Sequence, residues 1–264
     1  MVCMTALMLA CESGHPEIVC SLVERGGANA NAATSDDGMT ALMWASQNGH
    51  IEIVRFLVER GAASVNAART NDGMTALMWA SQNGHIEIAR FLVERGAASV
   101  NAARTDDGMT ALMWASQNGH IEIARFFVER GAASVNAART DDGGTALMSA
   151  SQIGLLEIVR ILVERGAANV NSARISDGMT ALMFASQNGH LDISRFLMDR
   201  GANVNAARTN NGFTALMSAS FNGHLEIVRL LLLRGADRHA LAHGGVTAHE
   251  LAGYHPLVQA ALLA

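Results

Sequence analysis

The stretch TALMWASQNGHIEI runs from Thr40 to Ile53, recurs from Thr75 to Ile88, and recurs again from Thr110 to Ile123 without a change. An identical segment returning every 35 residues is the mark of an array of small structural units rather than of one large core. Working outward, the Thr-Ala pairs at Thr5, Thr40, Thr75, Thr110, Thr145 and Thr180 keep that spacing, Thr214 follows after 34 residues and Thr247 after 33. The chain of 264 residues thus reads as a single solenoid, 1–264, of eight units, about 1–35, 36–70, 71–105, 106–140, 141–175, 176–209, 210–242 and 243–264.

Each unit is punctuated in the same way. Asp106-Asp107-Gly108 supplies a tight turn, because Gly takes positive φ at little cost. Thr110 offers its hydroxyl as a helix N-cap, and Ala111–Asn118 is about two turns of strong helix formers stopped by Gly119. A second helix is expected over His120–Arg130, apolar on most of its circumference, with Glu122, Arg125 and Glu129 as its polar stripe. Gly131 is expected to end it as a left-handed cap. The first helix is too short to stand alone and the second too apolar to stand in water, so neighbouring units must stack. The chain repeats because one copy cannot fold.

At this level of detail Gly38–Ala62, GMTALMWASQNGHIEIVRFLVERGA, resembles an ankyrin repeat, whose pattern is Gly-x-Thr-Pro-Leu-His-x-Ala-Ala-x-x-Gly-His-x-Glu-x-Val-x-x-Leu-Leu-x-x-Gly-Ala. The resemblance covers essentially the whole chain. It implies an all-α ankyrin-repeat solenoid of stacked helix-turn-helix units with projecting loop or hairpin fingers. Three departures stand out. Ala41, Ala76 and Ala111 replace the family Pro. Met43, Met78 and Met113 replace the His that links neighbouring units, so packing has to substitute for that bond. The loops, as in Gly96–Gly108, are about two residues longer than usual, by one Ala after Gly-Ala and one Arg before Thr; the unit at Gly201 lacks the extra Ala and that at Gly235 lacks both.

Composition excludes several functions. A net charge of −5 offers no basic field for nucleic acid or anionic lipid. All 19 basic residues are Arg, which removes Lys-dependent chemistry. No apolar window is long enough to span a membrane, and MVCMTALMLA, with no basic residue before its apolar run, reads as the first helix rather than a leader. Cys3, Cys11 and Cys20 form no disulfide framework, which points to an intracellular, cytoplasmic setting. No nucleophile, phosphate loop or acid–base set is present. His249-Glu-Leu-Ala-Gly lacks the second His of a zinc-protease helix, since Gly253 stands there. The expectation is a non-enzyme with no cofactor, metal or small-molecule substrate.

The binding signal lies on the first helices. Trp44, Gln47 and Asn48 share one face, repeated as Trp79, Gln82, Asn83 and as Trp114, Gln117, Asn118. By resemblance this face lines the concave groove that takes a protein partner, and Trp is a favoured interface anchor; each indole could instead serve only as packing between adjacent first helices. Units 71–105 and 106–140 differ at only two positions, so departures elsewhere carry information. Ile153 and Phe221 put apolar groups where Asn and Gln otherwise stand, and Phe184 replaces Trp. Trp114, Ile153, Phe184 and Phe221 are accordingly contact candidates, with neutral drift as the other reading. Unit five also has Gly144 for Met, Ser149 for Trp and Leu155 for His, and unit seven has Ser218 for Trp.

Other recurrent residues read as structural. Met39, Met74, Met109 and Met179 suit a ladder holding loop to loop. Arg69, Arg104, Arg139, Arg174 and Arg208 stand beside Asp72, Asp106-Asp107, Asp141-Asp142 and Asp177, as expected for ion pairs between loops, with a charged comb for a ligand as the other reading. His50, His85, His120, His190 and His224 each follow Gly at the start of the second helix, a family feature with no ligand role. The resemblance also implies that the loop residues Asn66, Asn101, Asn136 and Asn205 occupy a place where ankyrin repeats can be hydroxylated. The apolar tail Leu257–Ala264 is unlike a polar cap, so the chain is expected to be a cut from a longer array or larger protein. A protein-binding scaffold is the leading function; the alternative is a structural or spacer solenoid segment of a larger protein with no dedicated ligand.

Overall fold

The computed structural model describes residues 4–264 and divides into two compact bodies, one running to Ser134 and the other from Val135 to Ala264. Cys3 lies outside the described residues. Every unit opens where the Thr predicted as a cap stops the extended backbone: Thr110 has φ −102° and ψ 167°, and its Oγ1 accepts from the Met113 amide at 3.4 Å.

In the first body the short first helices are α1 (Ala6–Glu12), α3 (Ala41–Gln47), α5 (Ala76–Gln82) and α7 (Ala111–Gln117). The second helices are α2 (Pro16–Glu24), α4 (Ile51–Glu59), α6 (Ile86–Glu94) and α8 (Ile121–Glu129). Within this body each first helix packs on its own second helix and neighbouring first helices pack on one another, as do successive second helices. The second body repeats the plan with first helices α9 (Ala146–Ile153), α11 (Ala181–Gln187), α13 (Ala215–Phe221) and α15 (Ala248–Leu251). Its second helices are α10 (Leu156–Arg160), continued by a π-helical turn over Ile161–Arg165, then α12 (Leu191–Asp199), α14 (Leu225–Leu233) and α16 (Pro256–Leu263). Nothing in the sequence accounts for the π-turn. The architecture is the all-α stack of helix pairs that the repeat pattern requires, and no strand occurs among the described residues.

The core sits between the two helix rows. Leu42, Met43 and Ala45 of α3 and Ile53, Val54 and Leu57 of α4 are buried, and the equivalents follow in the later units. Met43, Met78 and Met113 are fully enclosed, so thioethers fill the place of the family His by packing. The Met ladder is likewise interior: Met39, Met74, Met109 and Met179 are buried at the loop–helix joints.

The fingers are hairpins closed by one antiparallel bridge each, such as Ala68 to Thr75 and Ala103 to Thr110. Successive fingers are tied by backbone bonds: the Thr70 amide donates to the Asp37 carbonyl at 2.9 Å and the Thr105 amide to the Asp72 carbonyl at 2.9 Å.

One expectation is corrected. The left-handed residue after the second helix is not Gly131 but Ala132, at φ 52°, and likewise Ala62, Ala97 and Ala167 in the other long-loop units. Without the extra Ala, Gly201 and Gly235 take that conformation themselves, at 84° and 82°. The insertion thus moves the positive φ one residue along, off Gly and onto a residue with a Cβ.

Candidate protein-binding face

The Thr cap sets the phase of the first helix, and that phase decides where the Trp points. With Ala, Leu and Met of the first turn committed to the core, Trp44, Trp79 and Trp114 fall at the edge of the buried stripe and are half-buried. Asn48, Asn83, Gln117 and Asn118, one turn further on, are exposed, while Gln47 and Gln82 are half-buried. The Asn residues also finish the helix: Asn48 Nδ2 donates to the Trp44 carbonyl and Asn83 Nδ2 to the Trp79 carbonyl, each at 3.0 Å.

The indoles are not bare. The guanidinium of Arg69 lies 5.3 Å from the centre of the Trp79 ring, and that of Arg104 lies 5.8 Å from the Trp114 ring. Arg thus joins a finger to the first helix that follows it by a cation–π contact, a link that spacing alone did not suggest. Trp44 has no such cover from its own loop, because Thr34 stands where Arg69 stands one unit later. The Nε1 atoms of Trp44, Trp79 and Trp114 are buried without a hydrogen-bond partner, as are Oε1 of Gln47 and of Gln82.

In the second body the candidate residues separate. Phe221, the last residue of α13, is 58% exposed, and Ile153, the last residue of α9, is 47% exposed. Phe184 is 6% exposed and lies under Arg174, whose guanidinium is 5.1 Å from the ring centre. It therefore offers a partner little surface, because its ring takes the interior edge position of the Trp.

The Arg–Asp ladder runs between fingers as expected. Arg69 meets Asp37 at 3.6 Å, Arg104 meets Asp72 at 3.7 Å, Arg174 meets Asp142 at 3.5 Å and Arg208 meets Asp177 at 2.9 Å. Within a finger Arg69 Nε donates to Asp72 Oδ1 and Arg174 Nε to Asp177 Oδ1, each at 2.9 Å. These bonds hold Asp72 below the usual carboxylate range and take Asp177 down to about 2, the hydrogen bond from Arg174 being the largest cause and burial opposing it. The Asp72 carboxylate also accepts from the Met74 amide at 3.1 Å and so shapes the turn.

Two further ties between units went unread in the sequence. His50, His85, His120, His190 and His224 each reach back to a carbonyl at the end of the first helix one unit earlier, as His120 Nε2 does to Gln82 at 2.9 Å. The loop Asn residues clamp successive loops: Asn66 Nδ2 donates to the Ala97 carbonyl at 3.2 Å, and its Oδ1 accepts from the Ser99 amide at 2.7 Å. Strict recurrence was the available signal for both, but it does not name the partner atom.

No group of three or more His, Cys, Asp or Glu side chains is arranged to hold a metal among the described residues, and none of their helices is long and apolar enough to cross a membrane. A family model described as ankyrin repeats matches the chain in three copies, over residues 7–104, 98–174 and 167–241. No curated protein matches it.

Proposed function

The chain belongs to the ankyrin repeat family, and we propose that it is a non-catalytic scaffold that binds a protein partner along the groove formed by its first helices and fingers. Ankyrin repeats are in general modules of protein–protein interaction. The observation that carries the reading is the row of half-buried indoles at Trp44, Trp79 and Trp114, flanked on the same face by Gln82, Asn83, Gln117 and Asn118. Large amphipathic rings at the border between core and water, ringed by amides, are what interface anchors require. In the second body Ile153 and Phe221 contribute exposed apolar surface, and Phe184, buried under Arg174, contributes little. The setting proposed for this role is the cytoplasm.

Site-specific photo-cross-linking tests it. A benzophenone side chain at Asn83, on the first-helix face, should capture a discrete partner, and the same group at Glu94, at the end of α6, should not. A triple Trp44→Ser/Trp79→Ser/Trp114→Ser variant uses the residue that units five and seven already carry at Ser149 and Ser218, and it should lose the capture. Cross-links from both positions alike, or capture that survives the triple change, would sink the reading. A chain that captures nothing at any position would favour the spacer role, for which the near-identity of units 71–105 and 106–140 is the motivating observation.

A further inference from the structure

The second helices carry a polar stripe on the face they turn to water. In α12 of unit six it is Asp192, Arg195 and Asp199, all exposed although a unit packs on either side. In α14 it is Glu226, Arg229 and Leu233, and at the same positions in and after α16 it is Leu257, Ala260 and Ala264. The stripe has thus lost every charge, and α16 holds no charged side chain at all. Leu257 is 69% exposed, and Ala260 and Ala264 are exposed with it. Stacking of units does not account for this surface, because the same positions of α12 stay in water with neighbours present.

The apolar surface extends beyond the stripe. Leu263 is 73% exposed, and Leu233, at the end of α14, and Tyr254, just before α16, are more exposed still. Three Leu side chains and a Tyr in this state offer about 500 Å² of apolar surface. That is at the upper end of what a monomer leaves bare in one patch. Shared by two copies it comes to about 1,000 Å², the lower bound of a specific interface.

We propose that α16 pairs antiparallel with α16 of a second copy of this chain, about a twofold axis beside Ala260. The spacing along the helix is what points to a second copy. Leu257 and Leu263 lie three residues before and three after Ala260, so each stands about 4.5 Å from it along the helix axis. Reversing the helix about Ala260 exchanges the two positions. Leu257 of one copy then lies level with Leu263 of the other, and Leu263 with Leu257, which is the reciprocal contact that a twofold dimer requires. The small side chain at the centre lets the two helices approach closely, since the distance between helix axes follows the side chains at the contact. A chain of net charge −5 meets itself here at a helix that carries no charge, so no like charges are forced together. The face belongs to second helices and is separate from the first-helix face proposed for a protein partner, so neither reading depends on the other.

Sedimentation equilibrium of the full chain from about 10 µM to about 1 mM tests it, and a dissociation constant on the order of 100 µM is expected for an interface of this size. Leu257→Glu and Leu263→Arg each place a charge in the pairing face and should weaken the dimer at least about tenfold. Both side chains stand in water, so neither change touches the core. Mixed in equal amounts, the two variants should recover a dimer, because the twofold axis sets the two substituted positions level with each other. The pairing is overturned if the chain stays monomeric over the whole range, if either variant alone associates as the wild type does, or if the mixture associates no better than its components. A chain that stays monomeric but co-sediments with phosphatidylcholine vesicles overturns it too, and gives the face to a lipid surface.

Discussion

The Nε2 of His85 lies 3.0 Å from the carbonyl oxygen of Gln47, which sits at the end of the first helix one unit earlier. His50 does the same to Glu12 at 3.1 Å, His190 to Gln152 at 3.1 Å and His224 to Gln187 at 3.1 Å. A ring N–H thus satisfies a carbonyl that a helix C-terminus leaves without a partner. The approach is close: a Cβ on Gly49, at φ +81°, would lie 2.7 Å from His85 Cε1. The imidazole and the glycine therefore work as a pair.

Replacing His85 with Leu, the residue that unit five carries at Leu155, should cost about 1 kcal/mol in chemical denaturation. Gly49→Ala should cost more, about 2 kcal/mol or above, because the backbone conformation and the clash with the ring add. Equal stability of Gly49→Ala and wild type would show that the ring can withdraw freely.

Ala62, Ala97, Ala132 and Ala167 hold positive φ without being glycine. Ala97 is exposed and its carbonyl is the acceptor for Asn66, so Ala97→Gly keeps the bond and relieves the strain. A left-handed residue with a Cβ costs about 1 kcal/mol, offset in part by the greater freedom of Gly in the unfolded chain. The expected result is a gain of up to about 1 kcal/mol, read as a raised denaturation midpoint; a loss would contradict this account.

Asn66 spends both ends of its amide on the next loop. Asn66→Ala should lower stability by about 1 kcal/mol and should speed hydrogen exchange at the Ser99 amide, whose acceptor it removes. Exchange at Ser99 that matches wild type would show that another acceptor holds that amide.

Asp177 is the acidic centre of its finger. Its folded pKa of about 2 lies below the model-compound value of 3.8, chiefly through the hydrogen bond from Arg174. The stability it contributes is therefore fully present above about pH 4 and is lost as pH falls toward about 2. Asp177→Asn should be less stable than wild type at neutral pH, and the difference should shrink through that window. A difference that stays constant from pH 6 to pH 2 would assign the effect to packing instead.

How much of this was legible beforehand differs from residue to residue. The Thr110 cap and the helices bounded by it follow from contacts three or four residues apart, and the sequence displays those directly. The burial of Met43 was legible for the same reason, since helical phase places it against a known apolar face, while Met74 was marked by its recurrence at the loop–helix joint. The conformation at Ala132 was misassigned to Gly131 because the one-residue insertion leaves Gly in sight while shifting the turn beyond it. The partner of His85, the clamp of Asn66 and the cover of Arg69 over Trp79 lay outside sequence reasoning. Each joins residues of different units, and the last also depends on how far a finger folds over the helix that follows it.

The amino-acid order alone determined that the units repeat, that each is two short helices and a turn, and that none can bury its apolar surface without a neighbour. Those are consequences of local periodicity and of the cost of exposing hydrocarbon. Tertiary structure alone decided which ring lies under an arginine, and that Phe184 is interior while Phe221 stands in water. Those outcomes depend on side chains brought together from separate fingers and helices, and distance through space, not spacing along the chain, sets them.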